Sequence, residues 1–125
     1  MGLYPSTKRV GNLLFVSGMG PREAGTDSIP GLEMDKFGHY TKFDFEAQVH
    51  SVFKNVNIAL EEAGSSWDNI VDVTVFLVNM KRDFVAYNRI YAQYFKDVKP
   101  CRTTVEVTAL PSPIAIELKV IATIA

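Results

Sequence analysis

The spacing of hydrophobic residues changes period several times along this chain, and each change marks an element. "TKRV" and "LLFVSG" are short apolar and β-branched runs on either side of Gly11-Asn12, which predicts a hairpin with strands at about 7–10 and 13–17. From Met19 to Phe43 the chain turns to Gly, Pro and charged residues without a sustained period, which predicts a long loop. Connections of that length are more often functional or interface-building than idle. Val49, Val52, Phe53, Val56, Leu60 and Ala63 then recur at helical spacing, with Asp44 as N-cap and Gly64 as stop, and predict a helix over about 45–63. "NIVDVTVFLV" is β-branched and apolar in both phases, as expected of a strand at about 70–78 covered on one face and partly on the other. In "RDFVAYNRIYAQYF", Phe84, Tyr87, Tyr91 and Phe95 share one face of a second helix, with Asp83 as its N-cap and Pro100 barring any continuation.

The last quarter, "PCRTTVEVTALPSPIAIELKVIATIA", predicts two strands joined by a proline-marked turn. Successive side chains of a strand point to opposite faces, so Arg102, Thr104 and Glu106 share one face of the first. On the second, Ile114, Ile116, Leu118 and Val120 lie opposite Ala115, Glu117, Lys119 and Ile121. The order ββ, helix, β, helix, ββ predicts an α+β sandwich with both helices on one face of a mixed sheet. There is no internal repeat and no low-complexity tract.

Composition narrows this picture. At 125 residues and 47% hydrophobic content the chain suits a single domain, 1–125, with a real core. Its 13 basic and 14 acidic residues are interspersed and sum to −1, so nothing points to nucleic acid or an anionic membrane as partner. One cysteine excludes an internal disulfide framework, and the start lacks the apolar core of a signal peptide, which predicts a reducing, cytoplasmic setting. No apolar run approaches the roughly 18 residues that span a bilayer, so a soluble protein is expected. Met1-Gly2 with Ser6 has the outline of an N-myristoylation signal, a spacing common by chance.

Most candidate chemistry falls away on inspection. His39, His50 and Cys101 show none of the short-range pairs of a metal site, so no metal is expected. "VSGMG" has Val16 where a nucleophile elbow needs glycine. No Walker lysine and no G-x-G-x-x-G supports nucleotide binding. Tyr87, Tyr91 and Tyr94 suit packing, and Lys81-Arg82 beside Asp83 suits a solvated helix entrance. Arg102 and Glu117 remain, two charges in otherwise core-like strands. Pattern alone leaves two readings open: residues at a sheet edge or subunit interface, or a functional pair. In the second, the arginine fork matches a substrate carboxylate and a carboxylate on a neighbouring strand holds or deprotonates water, a combination suited to hydrolysis of a small acid.

The ordered array "RVGNLLFVSG", "NVNIALEEAGSSWDNIVDVTVFLVNM", "FVAYNRIYAQYF", "CRTTVEVTALP" and "IELKVIA" resembles the reactive intermediate deaminase family (RidA, also called YjgF) from about Tyr4 to Ala122. Its most specific parts are the R-x-x-V-E-V-x-x-L-P run and the closing I-E-L strand. The resemblance implies a chorismate-mutase-like fold assembled as a homotrimer, its sheets forming a barrel and its active sites lying in clefts between subunits. It implies hydrolysis of enamines and imines of amino acids to keto acids and ammonia, with no metal or organic cofactor. By position, Arg102 would bind the substrate carboxylate and Glu117 would position the attacking water. Tyr4 matches an N-terminal active-site tyrosine, Ser17 and Gly18 a serine-glycine ending the second strand, and Asn88 and Tyr91 helix positions near the cleft. Thr104 joins the implied substrate-binding set, but stands where many members have cysteine, which puts any thiol-dependent role in doubt. Cys101, on the other side of Arg102, does not replace it.

The loop after the first hairpin is longer than in many members, and its G-x-x-x-D-x-x-G pattern (Gly31, Asp35, Gly38) resembles the 2-aminomuconate deaminase branch. That implies a dicarboxylate enamine as substrate and 2-oxohex-3-enedioate as product. A second substrate carboxylate wants a second cation, for which Arg9, Arg22, Lys36 and Arg82 are candidates. General deamination of 2-imino acids such as 2-iminopropanoate is the runner-up. A trimer that binds small acids without turnover is a third reading, and an RNA-directed role lacks a basic patch.

Overall fold

Strands β1 (Thr7–Val10), β2 (Leu13–Met19), β5 (Ile70–Leu77), β6 (Cys101–Glu106) and β7 (Ile116–Thr123) form one mixed sheet in the order β1-β2-β7-β5-β6. Between them come a small hairpin, β3 (Glu33–Met34) with β4 (Tyr40–Lys42), and the helices α1 (Phe45–Glu62) and α2 (Met80–Tyr94). The structure is a computed structural model and describes every residue except Met1, Gly2, Ala24, Asp27, Ser112 and Ala125. The Met1-Gly2 signal therefore lies outside the described residues. No helix among them is long and apolar enough to cross a membrane.

The two helices form where the apolar period is 3.6, and they start at polar caps. The Asp44 carboxylate accepts the Ala47 N–H at 3.1 Å, and Gly64 ends α1 at φ +86°, a left-handed conformation in which glycine carries no steric penalty. In α2 the predicted cap was misplaced. Asn79 caps the helix, accepting from the Arg82 N–H at 3.0 Å, whereas Asp83 sits buried in the first turn. The helix begins earlier than expected because Asn79 offers the same capping oxygen one turn before Asp83.

Val73, Val75 and Leu77 of β5, Leu118 and Val120 of β7, and Leu14 and Val16 of β2 are buried against Val52, Phe53, Val56 and Leu60 of α1 and Tyr87 and Ile90 of α2. This is the helix side of the sheet. The other side shows Phe15, Thr74, Phe76, Glu117 and Ile121 half-buried and Lys119 exposed.

Two further expectations need correction. The stretch 19–43 is not wholly a loop. The Asp35 carboxylate accepts the N–H groups of Phe37 (2.8 Å) and His39 (3.0 Å), Gly38 turns at φ +83°, and β3 and β4 pair across this turn. Strands so short leave no readable period. The last two strands are not neighbours either. β5 lies between them, parallel to β6 and antiparallel to β7. The β-branched, doubly apolar β5 is the strand that belongs in the middle of a sheet.

Candidate active site

Arg102 stands opposite Val73, so its side chain leaves the sheet on the helix side, at the β6 edge beneath α2. Its Nε donates to Thr104 Oγ1 at 2.8 Å and its Nη2 to Asn88 Oδ1 at 2.7 Å. The guanidinium carbon lies 4.7 Å from the Tyr91 ring centre, 5.4 Å from that of Tyr87 and 5.8 Å from that of Phe84. These four helix residues recur at helical spacing, which turns one face of α2 into a wall around the cation. Each aromatic face adds attraction of about 0.5 to 2 kcal/mol to an arginine. Burial pushes the Tyr87 and Tyr91 hydroxyls above the ordinary tyrosine range, against a smaller opposing pull from Arg102, so both rings stay neutral. Two of the five guanidinium N–H groups are used, and Arg102 has no carboxylate partner among the described residues. A cation so fixed and unpaired is a seat for an anion.

Glu117 occupies the other side of the sheet. Strand β2 bulges between Val16 and Met19, and Gly18 in that bulge lies against the carboxylate. A Cβ at Gly18 would come 2.5 Å from Glu117 Oε2 and 3.0 Å from its Cδ. Gly18 is thus required for space rather than for a left-handed backbone. Ser17 pins the chain entering β1: its Oγ donates to the Pro5 carbonyl at 2.7 Å and its N–H to the Ser6 carbonyl at 2.8 Å. That places the segment carrying the exposed Tyr4 beside the bulge. Glu117 makes no side-chain hydrogen bond or ion pair with the described residues, and desolvation pushes its carboxyl above the ordinary glutamate range. An unpaired, partly desolvated carboxylate is suited to accept a proton from water. Substituting Gly18→Ala should leave the fold intact, because a flexible carboxylate end yields before backbone does. It should lower kcat roughly 10- to 100-fold, the usual consequence of moving a catalytic group by about 1 Å. An unchanged kcat in Gly18→Ala would show that the Glu117 position does not matter.

The predicted residues therefore fall into two groups: Arg102, Asn88, Tyr91 and Thr104 on one side, and Tyr4, Ser17, Gly18 and Glu117 on the other. Glu117 was expected on a strand neighbouring Arg102, but β5 intervenes, with Phe76 in register with Glu117 and Val73 with Arg102. Two strand spacings across and three residues along amount to roughly 14 Å between their backbones, on opposite faces. No small acid bridges both within one chain. The clefts of about 500 and 380 Å³ that flank His50 on α1 are lined by neither residue. Of the four cations considered for a second carboxylate, Arg82 is paired with Asp83 at 2.7 Å and stacked 5.0 Å from the Phe43 ring centre. Arg9 Nε donates to the Gly11 carbonyl at 2.9 Å, Lys36 lies over Phe37, and Arg22 belongs to the loop segment held by Asn55.

The family model described as Endoribonuclease L-PSP matches residues 1–124. The chain belongs to this family. A RutC family protein from Pyrococcus abyssi is 37% identical over 122 residues, covering 98% of this chain and 87% of its own. The YyfA protein of the Rid family from Yersinia pestis is 34% identical with a TM-score of 0.83, covering 99% of this chain and 90% of the other. TdcF from E. coli, solved with bound serine, has a TM-score of 0.84 at 28% identity, covering 100% of this chain and 91% of the other. The α+β fold expected from the sequence is thus that of solved Rid-family proteins. Within the Rid frame, Phe84 and Tyr87 are additions to the Arg102 surroundings that sequence reasoning assigned to packing alone. Their helical spacing with Asn88 and Tyr91 was the available signal, Phe84 one turn before Asn88 and Tyr87 one turn before Tyr91, and only the position of β6 beneath α2 gave it meaning.

Proposed function

We propose that this chain is a hydrolytic deaminase of 2-imino and 2-enamino acids, assembled from copies of itself so that Arg102 of one meets Glu117 of another. The carrying observation is the Arg102 guanidinium: immobilised by Asn88, Thr104 and three aromatic rings, yet without a carboxylate of its own. The α-carboxylate of a substrate fits there by a paired, charge-assisted contact. Family membership supports imine chemistry, and the serine held by TdcF supports a site of amino-acid size.

The reaction follows from ordinary chemistry. An enamine tautomerises to its imine, water adds to the electrophilic carbon, and the carbinolamine expels ammonia to leave the 2-keto acid. Arg102 holds the carboxylate, and Glu117 takes a proton from the attacking water and returns it to the departing nitrogen. Because the imine carbon is already electrophilic, positioning and one proton shuttle suffice. The separation of Arg102 and Glu117 within one chain, together with the open edges at β1 and β6, supports a closed assembly such as the homotrimeric barrel. A small-acid-binding assembly without turnover would use Arg102 and leave the bare carboxylate of Glu117 without a role.

The test generates 2-iminopropanoate and 2-aminomuconate separately in situ and measures ammonia release with and without the protein. Acceleration of the first alone supports a general 2-imino acid deaminase, and acceleration of the second supports the dicarboxylate branch. No acceleration of either would sink the deaminase reading. Light scattering is expected to show a trimer; a stable monomer with full activity would remove the shared site.

A further inference from the structure

Lys119 was not among the cations weighed for a second substrate carboxylate, and the structure sets it where none of those lies. It follows Glu117 by two residues on β7, so both side chains leave the same face of the sheet, with backbones about 7 Å apart. Both reach the same irregularity in β2. Glu117 lies against Gly18, and Lys119 Nζ donates to the Val16 carbonyl at 3.2 Å, the residue at which the regular pairing of β2 breaks. That contact uses one ammonium donor of three and ties the head to the start of the bulge. Lys119 and Glu117 form no ion pair, and Lys119 has no carboxylate partner among the described residues. The neighbours on this face are Thr74, in register with Lys119, Phe76, in register with Glu117, and Ile121 with Asp72 in register beside it. Two carboxylates, Asp72 and Glu117, lie on this face, and neither is paired with the ammonium.

We infer that Lys119 is a specificity-determining residue that receives a second anionic group, so that the site favours imines of short dicarboxylic acids over those of monocarboxylic ones. The inference rests on the reading of Glu117 as the water-handling group of the reaction. With the α-carboxylate held by Arg102 of another copy and the reacting carbon at Glu117, the rest of the substrate has to run along the β7 face. Lys119 is the cation on that path, anchored by a backbone carbonyl and free to offer its remaining donors. A hydrocarbon end would gain nothing from it, whereas a carboxylate would gain a charge-assisted hydrogen bond.

Two measurements on the full chain test this. The first is the ratio of kcat/KM for an imine of glutamate to that for an imine of alanine, each generated by an amino-acid oxidase. Lys119→Met should lower that ratio roughly 10-fold or more, the size of a lost charge-assisted bond. Lys119→Arg should keep it, and Lys8→Met, which removes an equivalent charge two strands away on β1, should leave it as in the unaltered chain. The second is calorimetric binding of 2-oxoglutarate against 2-oxobutanoate, which needs no turnover. The unaltered chain should bind the dicarboxylate more tightly, and Lys119→Met should lose that advantage. An unchanged ratio and unchanged binding preference in Lys119→Met would overturn the inference while leaving the deaminase reading in place. Lys119-dependent dicarboxylate binding without ammonia release from any imine would overturn the deaminase reading and leave the assignment of Lys119 standing. No preference for the dicarboxylate in the unaltered chain by either measurement would also overturn the inference.

Discussion

Replacing Arg102 by alanine is expected to abolish nearly all ammonia release while the chain stays folded and assembled. The guanidinium is half-buried, held at 2.7 Å by Asn88 and at 2.8 Å by Thr104, and stacked beneath three rings. Its loss removes the only fixed cation of that wall. Truncating one partner of a sequestered charge pair costs about 2 to 5 kcal/mol, or roughly 30- to 5,000-fold in kcat/KM. Arg102→Lys should recover little, because a point charge cannot keep both hydrogen bonds and the flat stacking of the fork. Keto-acid binding should fall in parallel with kcat/KM, since the same contact serves ground state and transition state. Turnover by Arg102→Ala at the rate of the unaltered chain would remove the anchor role, and light scattering would separate this from a failure of assembly.

Glu117→Gln should behave differently, retaining binding of a keto acid while kcat falls about 100- to 10,000-fold, the range of a lost general base. The pH dependence carries the sharper signature. Desolvation pushes the carboxyl above its ordinary value of 4.5, and the group works as a base only when ionised. The rate should therefore fall on acidification, through a midpoint higher than that of an ordinary glutamate, and Glu117→Gln should lack this acid limb. Stability should move the opposite way. A raised folded-state pKa means that the fold favours the protonated form, a contribution present below the unfolded value and lost as pH rises through the folded one. At neutral pH the neutral glutamine should thus give a Tm equal to or above that of the unaltered chain. Lower kcat with equal or higher Tm is the pattern of a carboxylate kept for chemistry at some cost to stability. An unchanged rate, or an acid limb that survives the substitution, would place the proton transfer elsewhere.

Much of the local structure could be read from periodicity because each element is encoded by neighbours in sequence. Val49, Val52, Phe53, Val56 and Leu60 define one stripe of α1 whatever lies opposite them, and Asp44 and Gly64 bound the helix by local hydrogen bonding and backbone conformation. The Gly31, Asp35 and Gly38 pattern, which suggested a substrate branch, builds the β3–β4 turn and the approach to α1: a Cβ at Gly31 would lie 2.6 Å from Asp44 Cβ. Its residues have a local structural reason to be there.

The order of residues alone puts Arg102 on one face with Thr104 and Glu106, and Glu117 on one face with Lys119, because strand side chains alternate strictly. It also determined that both charges interrupt core-like strands. That these are opposite faces of one sheet with β5 between them follows from long-range strand pairing, which no local pattern encodes. The same pairing brought α2 over Arg102 and the β2 bulge over Glu117 and Lys119. One chain therefore carries the proposed anchor and the proposed base on opposite faces, and the proposed assembly is needed because a small acid cannot reach through a sheet.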